Sequence, residues 1–136
     1  MKRILFILLF LAPAFFACKK NKEPLIVQAN GVRAVIFVNH HGVPIPYASV
    51  FVKNGTVNWP GTDTTLYDAR YVTDAQGHLT ISGIPNGENA YIYYAKGIDA
   101  GWDSTHITPV LGYQFLITNT NTGEDKDYNI SIAVSE

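Results

Sequence analysis

Apolar and polar residues alternate with a period of two along much of the chain beyond residue 30. The alternation is clearest in residues 48–53, 79–82 and 128–134, and it predicts β-strands that turn one face toward a core. Between these segments, Asn54-Gly55 and the run from Asp74 to Gly77 have the residues of tight turns. No apolar three–four spacing typical of an α-helix continues past residue 17. The pattern therefore predicts an all-β fold, a sandwich or barrel of short strands.

Other segments predict strands from less regular patterns. Residues 32–39 are apolar almost throughout, so the sequence does not show which of their faces points inward. Residues 105–108 could form a short strand, which Pro109 is expected to stop. Two irregular regions, residues 56–65 and 96–104, interrupt the strand pattern. Further strands are predicted over residues 90–95 and 113–118.

The first seventeen residues have a pattern of another kind. Lys2 and Arg3 precede an apolar run over residues 4–17 that Pro13 interrupts. This run is shorter than the roughly 20 residues that a helix needs to span a bilayer. Residues 1–17 are therefore predicted to be a secretory signal peptide rather than a transmembrane helix.

Cys18, the one cysteine of the chain, follows directly after Ala17. A lone cysteine cannot form an internal disulfide. The segment resembles a bacterial lipoprotein signal, in which Ala17 would precede the cleavage point and Cys18 would be lipidated. Two or more acyl chains on Cys18 would anchor the protein stably to membrane lipid, and residues 18–24 would form the tether. The resemblance implies a cell-envelope location, which we expect to be the outer membrane, on either its surface or its periplasmic side.

The charge of the remaining chain is acidic. Removal of residues 1–17 takes away two of the ten basic groups and none of the eleven acidic groups, which argues against nucleic acid as a partner. Lys19, Lys20 and Lys22 lie beside Cys18, either in a solvated tether or against anionic headgroups. With 47% hydrophobic and 15% charged residues, the chain has the composition of a folded domain rather than of a disordered one.

Four segments carry a family resemblance. They are residues 42–50 (Gly-Val-Pro-Ile-Pro-Tyr-Ala-Ser-Val), 73–77 (Thr-Asp-Ala-Gln-Gly), 79–87 (Leu-Thr-Ile-Ser-Gly-Ile-Pro-Asn-Gly) and the strand at 91–95. Together they resemble the carboxypeptidase regulatory-like domain, a transthyretin-like (prealbumin-like) β-sandwich, which would occupy residues 25–136. The resemblance implies a seven-stranded Greek-key sandwich and a non-catalytic role. The stretch between Asn54 and Tyr71 is longer than a simple hairpin needs, which indicates an inserted loop.

The sequence lacks two motifs that are typical of hydrolytic enzymes. The chain has no His-Glu-x-x-His zinc motif and no Gly-x-Ser-x-Gly nucleophile motif. The related transthyretin-group hydrolases end in Tyr-Arg-Gly-Ser, whereas this chain ends in Ala133-Val-Ser-Glu136. We therefore expect a protein that is not an enzyme and needs no cofactor, with a transthyretin-group hydrolase as the less favoured alternative.

Histidines and aspartates in turns are the candidate metal ligands. Turns at one end of a sandwich can meet, so a site built from several histidines is conceivable, and loop carboxylates could offer oxygens to calcium. The spacing of these residues matches no dedicated metal-binding loop, and we expect ordinary surface and turn roles for them. The residues concerned are His40, His41, His78, Asp63, Asp68, Asp74, Asp99 and Asp103.

Both tryptophans, Trp59 and Trp102, lie in irregular glycine-containing regions. Exposed aromatic faces beside Asn, Asp and Thr side chains suit a sugar ring or a protein partner. The alternative, which we favour, is that each tryptophan folds back and caps an end of the core. Trp59 is the stronger candidate for ligand binding because its region is the apparent insertion. Tyrosines expected near them are Tyr67, Tyr71, Tyr91 and Tyr93.

The sequence thus predicts a membrane-anchored lipoprotein whose β-sandwich is a binding or scaffolding module of the cell envelope. One alternative is a glycan-binding surface protein that uses Trp59 or Trp102. Another is an adhesin or assembly subunit that pairs through a sheet edge. The sequence does not choose between a glycan and an envelope protein as the partner.

Overall fold

Eight β-strands form two four-stranded sheets in the computed structural model, which describes residues 31–100 and 107–136. One 3-10 turn (Thr64–Leu66) precedes β4, and the described residues include no α-helix. The prediction of an all-β, two-sheet architecture is confirmed. The strands are β1 (Val32–His40), β2 (Val43–Pro44), β3 (Ser49–Asn54), β4 (Ala69–Val72), β5 (His78–Ser82), β6 (Gly87–Asp99), β7 (Thr108–Thr120) and β8 (Lys126–Ala133).

Sheet A is built around β1. Strand β8 runs parallel to β1 along one edge, and β5 runs antiparallel along the other. The short β2 lies on the same edge as β5, because Asn39 faces Pro44 on one side and Ala133 on the other. The side-chain amide nitrogen of Asn39 donates to the Ser131 hydroxyl over 2.8 Å, which holds β1 and β8 together at this end.

Sheet B has the order β4-β3-β6-β7 and is antiparallel throughout. Strands β6 and β7 have 13 residues each and pair along their whole length. Beyond the outer edge of β7, Leu111 and Ser135 exchange two backbone hydrogen bonds of 2.9 Å. This exchange joins sheet B to the segment that follows β8, so the β7–β8 side of the sandwich is closed.

The core lies between the inward faces of the two sheets. Val32, Ala34, Ile36 and Val38 of β1 are fully buried, which determines the inward face that the sequence left open. Complete burial of each valine or isoleucine contributes roughly 1.5–3 kcal/mol. The predicted inward positions of β3 and β8 are confirmed. The core residues of the remaining strands and loops include Ile45, Ala48, Val50, Val52, Tyr91, Tyr93, Ala95, Ile130, Ile132 and Val134.

Three details differ from the predicted strands. Residues 96–99, which were predicted to be irregular, continue strand β6. The described residues contain eight strands where seven were expected, and one of the eight is the two-residue β2. Pro109 lies inside β7, paired with Ile98, instead of ending a strand. The backbone N–H of Leu111 points away from β6 toward Ser135, and position 109 has the same orientation in a regular strand. Proline at this edge position therefore removes no hydrogen bond from the sheet.

Several predictions fall on residues outside the described ranges. These are the signal peptide (1–17), the lipidated Cys18 with its tether (18–24), the first residues of the predicted domain (25–30), Trp102 and Asp103.

Candidate functional site

The outward faces of the two sheets differ in chemistry. Sheet A turns polar side chains outward, and Arg33 of β1 donates two hydrogen bonds, of 2.7 and 2.8 Å, to the Asp127 carboxylate of β8. Thr80 and Asn129 flank Val35 on the same face. One outward face of an antiparallel sandwich is ordinarily solvated in this way.

Sheet B turns apolar side chains outward. Along β7, consecutive outward positions are occupied by Leu111, Tyr113, Phe115 and Ile117, and the last three are 48–53% exposed. They lie beside outward residues of β6, of which Ile92 and Tyr94 are buried. We call the surface formed by Leu111, Tyr113, Phe115, Ile117 and Trp59 the apolar face.

Trp59 belongs to the long loop between β3 and β4, and it lies against this face. Its ring is parallel to that of Tyr113, with centroids 4.5 Å apart and planes at 5°. Its ring centroid is also 6.3 Å from that of Tyr94. Trp59 remains 38% exposed, so it covers part of sheet B and still offers surface to a ligand. The inserted loop that the sequence predicted therefore folds onto the outside of the sandwich.

An aromatic cluster, in which Phe51 and Tyr94 are buried and Tyr67 is half-buried, supports Trp59 from below. Tyr67, Tyr94 and Phe51 lie with ring centroids 5.6–6.0 Å apart. The Tyr67 hydroxyl donates to the Gly61 carbonyl over 2.8 Å, which closes the loop on itself. Burial raises the pKa of Tyr67, an effect that its hydrogen bond with the Trp59 side chain partly offsets. The loop is thus a packed structure rather than an open one.

Two cations lie beside Phe51, one ring of the aromatic cluster. The Lys96 ammonium lies 5.3 Å and the Arg70 guanidinium 5.9 Å from the Phe51 ring centroid. Such contacts are attractive because the face of an aromatic ring is electron-rich. Two cationic side chains therefore lie beside the aromatic cluster under the apolar face.

The expected position for Trp59 was an end of the core, and the structure places it elsewhere. Trp59 packs on the outward side of sheet B, whereas the core lies on the inward side. In the sequence, β6 has apolar residues on both of its faces, so its pattern did not show which face the Trp59 loop would cover. The signal that could have located the apolar face is the second apolar row of β7, at positions 111, 113, 115 and 117.

The tyrosines expected beside the tryptophans divide between two sides of sheet B. Tyr67 accompanies Trp59 on the outward side, as the shared contacts with Tyr94 show. Tyr71 pairs with the inward-facing Val50, and Tyr91 and Tyr93 belong to the core. They lie in a separate cleft between the sheets.

The histidines do not meet in one cluster. The His40 Nδ1 atom lies 2.6 Å from the Asp99 carboxylate, and the His40 and His41 ring centroids are 4.4 Å apart. His78 instead packs on Phe37, with centroids 4.9 Å apart. Across residues 31–100 and 107–136, no group of three or more His, Cys, Asp or Glu side chains could hold a metal ion.

Three of the candidate loop aspartates, Asp63, Asp68 and Asp74, have structural contacts. Asp63 accepts hydrogen bonds from the Thr65 amide and hydroxyl, which lower the pKa of its carboxyl group. Asp68 accepts from the Asn54 amide at 2.8 Å and the Lys53 ammonium at 2.9 Å. Both contacts lower the Asp68 pKa, the backbone one more strongly.

The third of these aspartates, Asp74, organises the turn before β5. Its carboxylate accepts from the amides of Gln76 at 2.9 Å and His78 at 2.8 Å. Asp63, Asp68 and Asp74, which the sequence offered as calcium ligands, are therefore engaged in turns and an ion pair.

Comparisons with known proteins add little to this picture. No protein-family model and no curated protein matches the chain. Among solved structures, the chain is similar to a 9R-lipoxygenase from Cyanothece PCC8801, with 14% identity and a TM-score of 0.37. The match covers 76% of this chain and 16% of the lipoxygenase chain. A similarity this low bears on neither the fold nor the chemistry of the protein.

The fold and the exposed face together define a class: an all-β sandwich with one polar and one apolar outward surface. Within the described ranges, no helix has the length and hydropathy required to cross a bilayer.

Proposed function

We propose that this protein is a lipoprotein of the cell envelope whose β-sandwich is a non-catalytic binding or scaffolding module. Acylated Cys18 would anchor it, with the outer membrane as the expected site. The sandwich would be a transthyretin-like Greek-key domain of the carboxypeptidase regulatory-like kind. The apolar face would be its binding surface, and a protein its partner.

The exposed apolar row on β7 is the observation that carries this proposal. Tyr113, Phe115 and Ile117 are all about half exposed on a regular strand, where an outward face would ordinarily be polar. Contiguous exposed apolar patches mark interaction sites in soluble domains. Aromatic residues dominate the energetics of such surfaces, and the aliphatic members favour a protein over a sugar.

Structural contacts of the polar side chains support the non-catalytic part of the proposal. Asp63, Asp68 and Asp74 accept hydrogen bonds that shape their loops. A catalytic site needs a nucleophile or base that is poised beside a substrate pocket. These groups are instead occupied in holding the loops.

Site-specific photocrosslinking in intact cells tests the binding face. A photoreactive phenylalanine analogue at position 115 is expected to give a discrete protein adduct. The same analogue at position 80, on the polar face of sheet A, serves as the matched control. Equal crosslinking from both positions, or adducts with lipid alone from position 115, would contradict the proposal of a protein partner.

Replacement of the proposed acylation site tests the anchor. A Cys18→Ala chain is expected to lose incorporation of a labelled fatty acid and to leave the membrane fraction. Retention of the label in Cys18→Ala would disprove lipidation at this residue. Protease digestion of intact cells, with a periplasmic protein as control, then distinguishes surface display from a periplasmic location.

A glycan is the second candidate ligand, and one observation favours it. Trp59 is 38% exposed within a loop that also exposes Asn58, Thr62 and Asp63, a combination that suits stacking and hydrogen bonding to a sugar. Glycan-array binding that disappears in Trp59→Ala and persists in Ile117→Ser would favour this candidate. Together with surface display, that result would identify a glycan-binding protein. Binding to a host or neighbouring protein would instead identify an adhesin or assembly subunit.

A further inference from the structure

A cleft opens between the sheets on the side opposite the Leu111–Ser135 closure. It has a volume of about 790 Å³ and lies between β4 and β5, the free edge strands of sheets B and A. Small-molecule sites typically have volumes of roughly 300–1,000 Å³. The opening leads from solvent to inward-facing residues of the core, among them Val52 and Ile84.

Three tyrosines line this cleft. Tyr91 and Tyr93 are successive inward residues of β6, with ring centroids 6.2 Å apart. Tyr71 projects from the inward side of β4 and is 37% exposed, whereas Tyr93 is 1% exposed. The rings therefore extend from the mouth of the cleft to its floor.

The hydroxyl group of Tyr93 has no hydrogen-bond partner among the described residues. Among the described residues, the fully enclosed side-chain polar atoms without a hydrogen-bond partner are those of Asn86 and Thr120, not the hydroxyl oxygen of Tyr93. The Tyr93 hydroxyl therefore keeps a small contact with open space, and Tyr93 lines the cleft. An unpaired polar group at this depth is costly unless water or a ligand bonds to it.

The charge of the cleft is negative. Glu88 is the one carboxylate among the described lining residues, and no lysine, arginine or histidine accompanies it there. Burial, with smaller contributions from nearby Tyr91 and Tyr71, raises the pKa of Tyr93, so its ring stays neutral. Neutral phenol rings attract cations through their faces, and one carboxylate adds a long-range attraction.

We propose that this cleft binds a small organic cation of the alkylammonium class, with its cationic head against the ring of Tyr71 and the exposed edge of Tyr91. Glu88 attracts the cation at the mouth, and the Tyr93 hydroxyl bonds to a polar group of the ligand. The tyrosines of the site lie on the inward side of sheet B, and Ile117 is the one residue of the apolar face that also lines the cleft. The cation site does not rest on the function proposed above, because none of the groups that would bind the cation belongs to the apolar face.

Titration calorimetry with a matched pair of ligands tests the proposal. Choline serves as the cationic probe, and 3,3-dimethylbutan-1-ol, which replaces the nitrogen by carbon, is its neutral counterpart. The full chain is used in a detergent without an ammonium group. We expect choline to bind about 10-fold more tightly than the alcohol, the magnitude of a partly desolvated cation–π contact. Equal affinities of the two compounds, or no saturable choline binding, would overturn the proposal.

Variants at the mouth of the cleft separate ring chemistry from folding. Tyr71→Leu is expected to weaken choline binding about 5-fold, whereas Tyr71→Phe keeps the ring and the affinity. Glu88→Gln is expected to weaken it about 3-fold and to reduce its salt dependence. Tyr113→Leu, on the opposite side of sheet B, is the control and should bind choline normally. Choline binding that is unchanged in Tyr71→Leu would place the cation elsewhere and refute the assignment.

Discussion

The indole ring of Trp59 and the phenol ring of Tyr113 stack in parallel, with centroids 4.5 Å apart. The two residues are 54 positions apart in the sequence, and their contact joins the loop between β3 and β4 to the edge strand β7. The stack thereby turns the outward side of sheet B into a partly covered aromatic surface. Trp59 is consequently both a structural residue and a component of the apolar face.

The energy of this stack should be measurable as a coupling. Trp59→Ala and Tyr113→Ala each remove one ring, and the double variant completes a mutant cycle. We expect a coupling free energy of about 0.5–1.5 kcal/mol, the usual value for an aromatic pair. Urea unfolding of the four proteins checks it. Additive effects of the two substitutions would mean that the stack contributes nothing to stability.

Exposed and covered members of sheet B should respond differently to truncation. Phe115 is 53% exposed and Ile92, its cross-strand partner on the same outward side, is fully buried. Phe115→Ser is expected to change the free energy of unfolding by less than about 0.5 kcal/mol, as for ordinary surface positions. Ile92→Ala should cost about 2–4 kcal/mol because it leaves a cavity.

Thermal and urea unfolding test this contrast. A large loss of stability in Phe115→Ser would mean that Phe115 is part of the folding core. It would then no longer support a binding face.

Replacement of Gly77 by alanine should destabilise the fold for a steric reason that does not apply to Gly55. Both have positive φ, +72° and +74°, so alanine at either position incurs roughly 1–2 kcal/mol of backbone strain. A Cβ at Gly77 would also lie 2.7 Å from the Val38 carbonyl oxygen, whereas a Cβ at Gly55 would meet nothing within 4 Å. Gly77→Ala should therefore destabilise the protein clearly more than Gly55→Ala. Equal denaturation midpoints for the two variants would contradict the close approach.

The Asp68 carboxyl group should make the stability of the fold depend on pH. The Asn54 amide and the Lys53 ammonium lower its folded-state pKa below the ordinary value of 3.8. The stabilisation from a lowered carboxyl pKa is fully present above the unfolded-state value and is lost as the pH falls through the folded-state value.

Denaturation midpoints of the wild type and Asp68→Asn, measured from pH 7 down to pH 2, check this expectation. The wild type should be the more stable protein at pH 7, and the difference should shrink below about pH 4. A difference that stays constant over the whole range would show that the charge of Asp68 is irrelevant.

The class of fold was accessible from local patterns. Alternation at residues 48–53 and 128–134 identified strands with the correct inward residues, Val50 and Ile132 among them. The turn from Asp74 to Gly77 was recognisable because a carboxylate that accepts amides and a glycine with positive φ are local requirements. The predicted insertion after Asn54 is also present, as the loop that carries Trp59.

Other features required the pairing of distant residues. The inward face of β1 became clear only from the packing of sheet A on sheet B, which buries alternate residues of β1, because residues 32–39 are apolar on both sides. Pro109 was expected to stop a strand, yet the edge position of β7 accommodates it. Tyr67 lies on the other side of sheet B from Tyr71, Tyr91 and Tyr93. This separation arises because successive strand residues point to opposite faces and because the loop that carries Tyr67 folds over the outward face.

The sequence by itself determined the all-β class, the positions of most strands and turns, and which residues of β3 and β8 point inward. Each of these depends on interactions within a few residues, and period-two alternation records them directly. Only the tertiary structure decided that β7 is an edge strand with an exposed apolar row, that Trp59 stacks on Tyr113, and that three tyrosines converge on a cleft. Those features depend on strand order and on long-range contacts, which a local pattern of apolar and polar residues does not encode.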